Sequence, residues 1–340
     1  MLMFTAVCRF ADRLDRTWFY HFVIFLIDPT MKLNRRQFCT TATSAMACAA
    51  SASLTTNLFA NSYSPNQEKQ KFHICGFIKF IQELSYDKIA ETMAGQGYQG
   101  AEATIRPGGL IEPKDAPEQL PKLVAALKKQ NLDIPVMTTR INQVGDPVND
   151  ALLKTAVDQG IKRYRMDYYR YDKKKPIAPQ VDLFRKQANE LAELNEKLGI
   201  TAVYQNHAGS KYLGSTMWDL CAMLKDINPD HMGIAFDIRH ATAASGESWP
   251  IYWSIAQPYL RAIYVKDFVF EMQEKGIKSK HVALGEGAVN PKFCKMVADS
   301  DLDLPISLHV EYLPKAGLEE NIKAMGTDLK KLHQWLGVAS

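Results

Sequence analysis

The sequence has no long basic run and no apolar stretch long enough to cross a membrane. Its 41 basic and 37 acidic residues give a net charge of +4, and its longest basic block is the lysine triplet at 173–175. This balance does not favour nucleic acid or an anionic membrane as a partner. The apolar run at 18–27 is far shorter than the roughly 20 residues that a bilayer-spanning helix requires.

Cysteine is also scarce, with six residues in a chain of 340. The three that follow residue 60 are Cys75, Cys221 and Cys294. An odd, widely spaced set of this kind is no disulfide framework. None of the three has a Cys or His neighbour at the spacing of a metal site, so we expect small buried side chains.

What remains is the composition of a soluble globular protein, with 46% hydrophobic, 23% charged and 10% aromatic residues. It excludes a disordered chain, a collagen-like repeat and a polytopic membrane protein. The length allows two domains. It equally allows one α/β barrel of roughly 250 residues preceded by a targeting segment.

Residues 31–60 have the layout of a secretory signal peptide, in which a short basic region is followed by an Ala/Ser/Thr-rich stretch. Arg35 and Arg36, followed by Phe38, resemble the twin-arginine export signal of bacteria. Asn34 stands where that motif usually has Ser or Thr. The alternative is an ordinary amphipathic helix that contains two arginines.

The signal predicts a periplasmic or otherwise exported protein, with the twin-arginine export machinery as a partner and no stable membrane insertion after cleavage. It divides the chain into four segments. We predict an extension ahead of the true start at 1–30, the signal at 31–60, a linker at 61–71 and the folded domain at 72–338.

Short β-rich runs alternate with amphipathic helical stretches through the folded domain. The eight predicted strands are residues 72–77, 100–105, 133–138, 162–167, 201–207, 232–238, 261–267 and 305–311. Eight strand–helix units predict an α/β fold, a single-domain (β/α)8 TIM barrel, with a doubly wound open sheet as the alternative. The first strand is not followed by the Gly-x-Gly-x-x-Gly turn of nucleotide-binding sheets, so no nucleotide cofactor is expected.

Polar side chains cluster at the predicted strand ends, where barrel enzymes carry their active sites. The residues that share the inner faces or adjoin them are Glu102, Thr104, Arg106, Arg165, Asp167, Gln205, Asn206, His207, Asp237, Arg239, His240, Tyr264, Lys266, His309 and Glu311. Buried charges without partners are costly, so this density predicts a polar ligand site at the barrel mouth. Gly285 and Gly287 follow the seventh strand, where backbone amides can meet a sugar hydroxyl or a phosphate.

Several of these residues stand in short motifs. They are Gly-Tyr-Gln-Gly-Ala-Glu at 97–102, Gln-Asn-His at 205–207, Asp-Ile-Arg-His at 237–240, Lys-Asp at 266–267 and His-Val-Glu at 309–311. In these motifs the chain resembles the xylose isomerase-like TIM barrels, also called the sugar phosphate isomerase/epimerase family, over nearly all of residues 72–338.

Members of that family hold a divalent Mn, Co, Mg or Zn ion with Glu, Asp, His and Glu from the fifth to the eighth strands. The resemblance implies Gln205, Asp237 and Glu311 as ligands here, with Tyr264 at the histidine position. A neutral amide and a phenol are poorer ligands than carboxylate and imidazole, so His207 is a further candidate ligand. A bound metal and a metal-free site both stay open.

The resemblance also implies proton abstraction at a carbon beside a carbonyl. Epimerases of this kind use two carboxylates, and Gln205 replaces one of them, which favours isomerisation or elimination with one base. We expect Glu311 or His207 to be the base, and Lys266, Arg239 or a metal to stabilise the enolate oxygen. The expected substrate contacts are Glu102, Arg106, Asn206, Arg239, His240, His309 and Trp249, the last on a segment that can cover the mouth or simply pack in the core.

The leading hypothesis is therefore an exported carbohydrate-active enzyme, a sugar isomerase/epimerase-like protein or a lyase, acting on a keto-sugar or a glycoside derivative. Because sugar phosphates are mainly cytosolic, export favours a free or oxidised sugar or a glycoside. A sugar-binding barrel without chemistry and with a degraded metal site is the alternative. A two-metal endonuclease is disfavoured, because it needs more His and Glu ligands than the strand ends supply and a basic surface that this sequence lacks. Monomers and homo-oligomers are both compatible with the sequence.

Overall fold

Eight short segments form the parallel strands of a closed barrel in the computed structural model, which describes residues 72–274 and 276–338. The barrel strands are β1 (His73–Phe77), β2 (Gly100–Thr104), β3 (Met137–Thr138), β4 (Arg163–Arg165), β5 (Thr201–Gln205), β6 (Met232–Asp237), β7 (Leu260–Val265) and β10 (Pro305–Leu308). Neighbours along the chain pair in parallel, and β10 closes the ring between β7 and β1. The predicted single-domain TIM barrel is confirmed. The predicted extension, signal and linker lie outside the described residues.

The third and fourth strands are shorter than predicted. Pro135 lies within the predicted third strand, and a proline cannot donate a hydrogen bond to a strand ladder. Regular pairing therefore begins only at Met137, although Gly100 and Asp133 form an isolated bridge. At the other end of the sequence, β10 ends at Leu308, but the His309 amide still donates to the Val265 carbonyl at 2.9 Å.

Helices connect the barrel strands and surround them. The α-helices of the described residues are α1 (Tyr86–Gln96), α2 (Ala116–Lys129), α3 (Pro147–Asp158), α4 (Ile177–Leu198), α5 (Met217–Leu224), α6 (Ile238–Ser245), α7 (Trp249–Ala256), α8 (Lys292–Ala298) and α9 (Leu318–Leu336). Short 3₁₀ helices lie at Ile78–Ile81, Pro113–Asp115, Gly246–Ser248 and Gln257–Tyr259. Two α-helices follow β6 where one is predicted. Within the described residues, no helix is long and apolar enough to span a bilayer.

The core is divided between two layers because alternate strand residues face opposite sides of the barrel wall. Most buried apolar side chains pack between the strands and the helices. A second, separate cluster consists of Val136, Val203, Ala235, Ala262 and Tyr264. This small cluster leaves the remaining inner positions to polar side chains.

An antiparallel hairpin, which the sequence patterns did not predict, follows β7. It consists of β8 (Asp267–Gln273) and β9 (Gly276–Val282), with Phe268 opposite His281 and Phe270 opposite Ser279. Residues 283–289 then return to the barrel.

The Asp267 carboxylate fastens the chain on both sides of this hairpin. It accepts hydrogen bonds from the amides of Phe268, Gly285, Gly287 and Val289 at 2.8–3.0 Å. A Cβ at Gly287 would lie 2.2 Å from Asp267 Oδ1, so this close approach requires glycine. The amides of Gly285 and Gly287 are therefore used within the protein, and they do not form the ligand-binding loop that the sequence suggests.

A buried carboxyl in α9 holds the segment that follows β10. Asp328 is 3% exposed, and its Oδ1 accepts from the Tyr312 hydroxyl at 3.2 Å. Burial raises the pKa of Asp328 to about 6, although hydrogen bonds from the Leu284 amide and Tyr312 partly oppose it. Folding therefore favours the protonated form of this group.

We predict that the free energy of unfolding of Asp328→Asn falls less than that of the wild type as the pH rises. With an unfolded pKa near 3.8 and a folded pKa of about 6, the native state binds more protons between these values. The free energy of unfolding of the wild type should therefore fall by roughly 1–3 kcal/mol more than that of the variant between pH 4 and pH 7. Urea unfolding at several pH values measures this difference. The exposed Asp158→Asn variant should keep the wild-type slope, and parallel curves for Asp328→Asn and the wild type would contradict the prediction.

Candidate active site

One polar group inside the barrel is the Glu102 carboxylate, which is completely buried. Four side chains from other strands or strand ends surround it. Thr138 donates at 2.5 Å and Ser307 at 2.5 Å, while Tyr264 donates at 3.1 Å and His309 Nε2 lies at 2.8 Å. Burial alone would raise the pKa of Glu102, but His309 and the other partners outweigh it and lower the pKa to about 2. Glu102 therefore stays ionised and joins four strands.

His309 is held by rings as well as by this carboxylate. It stacks on Phe77 at a centroid distance of 4.5 Å and lies 4.6 Å from the Tyr264 ring. Since an ionised carboxylate only accepts hydrogen bonds, His309 Nε2 carries a proton. These contacts leave Glu102 and His309 as a layer that supports the site from below.

A second polar layer begins at Arg165. Its Nη1 donates to Gln205 Oε1 at 2.7 Å, and the Tyr168 hydroxyl donates to the same oxygen at 2.5 Å. Guanidinium has donors only, so the amide oxygen must face Arg165. The Gln205 Nε2 therefore faces Asp237 and donates to Oδ2 at 2.6 Å.

Lys266 lies between two carboxylates from different parts of the barrel. Its Nζ is 3.2 Å from Asp237 Oδ2 and 3.2 Å from Glu311 Oε2. Burial lowers the pKa of Lys266, but the charges of Asp237 and Glu311 outweigh burial and raise it above its ordinary value. Burial likewise raises the pKa of Glu311, and Lys266, His309 and His281 reverse this and lower it well below its usual range. At neutral pH Lys266 is therefore an ammonium and Glu311 a carboxylate.

The position of Asp237 is defined by its backbone and its side chain together. Asn206 donates to the Asp237 carbonyl at 3.0 Å and accepts from its amide at 2.7 Å. Asp237 is the N-cap of α6, and its Oδ1 accepts from the His240 amide at 3.0 Å. Asn206 thus acts as a brace between β5 and β6.

Two neutral imidazoles lie beside this carboxylate. The rings of His207 and His240 are 3.9 Å apart. Burial and the nearby Lys266 charge lower the pKa of His207 to about 4, and the same causes lower the pKa of His240. His207 Nδ1 lies 2.9 Å from the Ala208 carbonyl, which requires a proton on Nδ1 and leaves the lone pair on Nε2.

The hairpin supplies further residues. Arg239 lies over the Phe268 ring at 4.7 Å, and its Nη2 donates to Ser279 at 2.7 Å. His281 Nε2 is 3.8 Å from Glu311 Oε2. Burial and Lys266 lower the pKa of His281 to about 4, so it too is neutral at neutral pH.

Most of the residues selected from the sequence meet in these two layers. They are Glu102, Gln205, Asn206, His207, Asp237, Arg239, His240, Lys266, His309 and Glu311. Arg106 lies at their edge, 6.0 Å from the Phe77 ring centroid. Thr138, Tyr168, Ser279, His281 and Ser307 were missed, although alternation in residues 276–282 places Ser279 and His281 on one strand face.

Two residues have other surroundings than the sequence suggests. Trp249 begins α7, is 6% exposed and packs edge-on against Phe293 of α8 at 5.8 Å. It therefore packs in the helix layer, apart from the two polar layers. Asp167, which the sequence places on the same strand face as Arg165, pairs instead with Arg170 at 3.1 Å.

The fold is a (β/α)8 barrel whose polar side chains gather at the carboxyl ends of its strands, where barrel enzymes carry their active sites. More particularly, residues 90–328 match the model of the xylose isomerase-like TIM barrel family, and the chain belongs to this family. No curated protein matches the chain by sequence.

Solved structures with the same fold include sugar epimerases. D-psicose 3-epimerase has 12% identity and a TM-score of 0.59, over 78% of this chain and 100% of that one. The 3-keto-D-glucoside 4-epimerase of E. coli has 13% identity and a TM-score of 0.58, over 77% and 99%. A xylose isomerase-like barrel from Mycobacterium smegmatis, in complex with magnesium, has 14% identity and a TM-score of 0.55, over 78% and 98%.

The family resemblance implies a divalent metal near Asp237 and Glu311, but the residues present do not fit one. Among residues 72–274 and 276–338, no group of three or more His, Cys, Asp or Glu side chains is placed to hold a metal ion. Lys266 Nζ lies between the two carboxylates, and Gln205 turns an N–H group toward Asp237. The predicted ligand set of Gln205, Asp237, Glu311 and His207 therefore lacks the required arrangement.

We predict that Glu102→Gln destabilises the barrel by about 2–4 kcal/mol at pH 7, because an amide has a single oxygen and cannot accept all four of these hydrogen bonds. The folded pKa of Glu102 is below its unfolded value, so this contribution is present above the unfolded pKa of 4.5 and is lost toward pH 2. The variant and the wild type should therefore converge in stability as the pH falls. Urea unfolding measures both effects. The exposed Glu118→Gln serves as control, and equal stability of Glu102→Gln and wild type at pH 7 would refute this account.

Proposed function

We propose that this protein is a carbohydrate-active enzyme of the sugar isomerase/epimerase kind. It removes a proton from the carbon beside a carbonyl in a keto-sugar or a glycoside derivative, and the product arises by isomerisation or elimination. The observation that carries the proposal is the 3.2 Å contact between Lys266 Nζ and Glu311 Oε2 at the mouth of the barrel. A proton acceptor and a fixed positive charge then lie within the span of one enolisable group.

Glu311 is the better base of the two carboxylates. Its side chain is 21% exposed, whereas that of Asp237 is completely buried. The lowered pKa of Glu311 keeps it ionised at neutral pH. A substrate carbonyl that takes the Lys266 contact removes part of that stabilisation, which strengthens Glu311 as a base.

Lys266 supplies the charge that an enolate requires. A buried ammonium directed at the developing oxyanion stabilises it more than water would, because it needs no reorganisation during the reaction. Asp237 keeps Lys266 in place, and Gln205 and Asn206 keep Asp237 in place.

The neutral histidines favour isomerisation or elimination. His207 offers an unprotonated Nε2, and it remains the second candidate base. A neutral imidazole can pass a proton to a neighbouring substrate oxygen or hydroxyl leaving group. Gln205 cannot abstract a proton, so the site lacks the second carboxylate that two-base epimerisation would require on the other face of the substrate.

The predicted export signal bears on the substrate. An exported enzyme meets free sugars, oxidised sugars and glycosides, whereas sugar phosphates are mainly cytosolic. The Gly285 and Gly287 amides are bonded to Asp267, so they offer nothing to a phosphate. We therefore propose that the protein is periplasmic or otherwise exported and that its substrate is a free sugar, an oxidised sugar or a glycoside. This class is in keeping with the sugar epimerases that share the fold.

We predict that the protein exchanges a substrate proton for deuterium in D₂O and that Glu311→Gln slows this exchange by roughly 100-fold or more. The glutamine keeps the shape of the side chain but cannot accept the proton. NMR of D-fructose, D-psicose and a 3-keto-D-glucoside, each incubated with the protein, measures the exchange.

Glu193→Gln is the matched control, because Glu193 is exposed on α4. Unchanged exchange in Glu311→Gln would refute the assignment of the base and turn attention to His207. Saturable binding of these sugars without exchange or turnover would instead support a sugar-binding barrel without chemistry.

A further inference from the structure

We propose that the Lys266 ammonium is the resident cation of this site and takes the place of a divalent metal ion. If the protein has the proposed function, this substitution means that enolisation proceeds without a metal ion, and only this consequence rests on the proposed function. The inference about metal binding depends only on the positions of Lys266 and the side chains around it, whether or not the protein acts on a sugar.

The first argument is the position of the ammonium. Nζ is equally distant, at 3.2 Å, from a carboxylate that ends β6 and from one that follows β10. A divalent ion shared by these two side chains would occupy the same space, since its oxygen ligands lie within roughly 2.0–2.6 Å of it. The Lys266 side chain is only 5% exposed, so the ammonium is held inside the barrel. If it moved away, both carboxylates would lose the cation that pairs with them, which is costly in a buried site.

The second argument is the charge of the surroundings. Arg165 donates to Gln205, and Arg239 Nη1 lies 2.9 Å from the His240 ring, whose Nε2 is 3.8 Å from Asp237 Oδ2. The two carboxylates therefore face an ammonium with two guanidinium groups nearby. A divalent ion added to this set would meet repulsion from three fixed cations.

The third argument concerns the two positions where the family has Glu and His. Arg165 can only donate, so it fixes the Gln205 oxygen away from Asp237 and leaves an N–H group facing the carboxylate. Tyr264 donates its hydroxyl proton to Glu102 in the layer below. Neither side chain presents a free oxygen to the space between Asp237 and Glu311.

The test uses the full chain and Mn²⁺ as the probe. We expect electron paramagnetic resonance of free Mn²⁺ to show no saturable binding to the wild type, and EDTA to leave its melting temperature unchanged. One Mn²⁺ per chain that survives dialysis, and whose removal lowers the melting temperature, would overturn the proposal.

Lys266→Met tests the role of the ammonium directly. Removing one partner of a buried pair leaves Asp237 and Glu311 repelling each other, so the melting temperature should fall by about 5 °C or more. Added Mn²⁺ should restore part of this loss in the variant and have no effect on the wild type. Lys280→Met is the matched control, because Lys280 forms an exposed pair with Glu271 on the hairpin.

A Lys266→Met protein as stable as the wild type, with and without Mn²⁺, would show that Lys266 is not the cation of the site. If that variant does not fold, Mn²⁺ binding by the wild type decides the question alone. None of these measurements uses turnover. A metal-free wild type that exchanges no sugar proton would therefore refute the proposed function and leave this inference standing, whereas a tightly bound Mn²⁺ would do the reverse.

Discussion

The two ion pairs of Lys266 are the interaction on which the rest of the site depends. They join the end of β6, the end of β7 and the segment after β10, so three neighbouring parts of the barrel converge on one ammonium. A buried ammonium is costly unless its charge is balanced on the spot. This constraint explains why Asp237 is braced by Asn206, by Gln205 and by the first turn of α6.

In the layer below this ammonium, the negatively charged Glu102 likewise joins several strands of the barrel. It gathers donors from β3, β7, β10 and the residue that follows β10, and it remains ionised because they are all directed at it. Tyr264 stands where the family resemblance implies a histidine ligand, and here its hydroxyl donates to Glu102 in this layer.

The hairpin after β7 changes the upper layer more than any other part of the chain. It brings Ser279 to Arg239 and His281 to Glu311, while Asp267 fastens both of its ends. The mouth therefore contains an imidazole from outside the eight strands. Such an addition fits the general division in barrels between a stable ring of strands and loops that carry the function.

The sequence by itself determined the barrel and most of the site. The alternation of side chains placed Glu102, Asp237, Lys266 and Glu311 inward, because the pleat of a strand has a period of two. Short motifs then identified the family to which the chain belongs.

Only the tertiary structure decided which of these residues touch and in which direction each one donates. The orientation of Gln205 depends on Arg165, which is 40 positions away. Asp167 lies beyond the end of β4 at Arg165, and it pairs with Arg170 of the same loop. Trp249 packs against Phe293 because a second helix follows β6. Sequence periodicity predicts the face of a strand on which a residue lies. It does not predict contacts between residues far apart in the chain, because these depend on how the strands close into a ring and on the cost of leaving a buried charge unpaired.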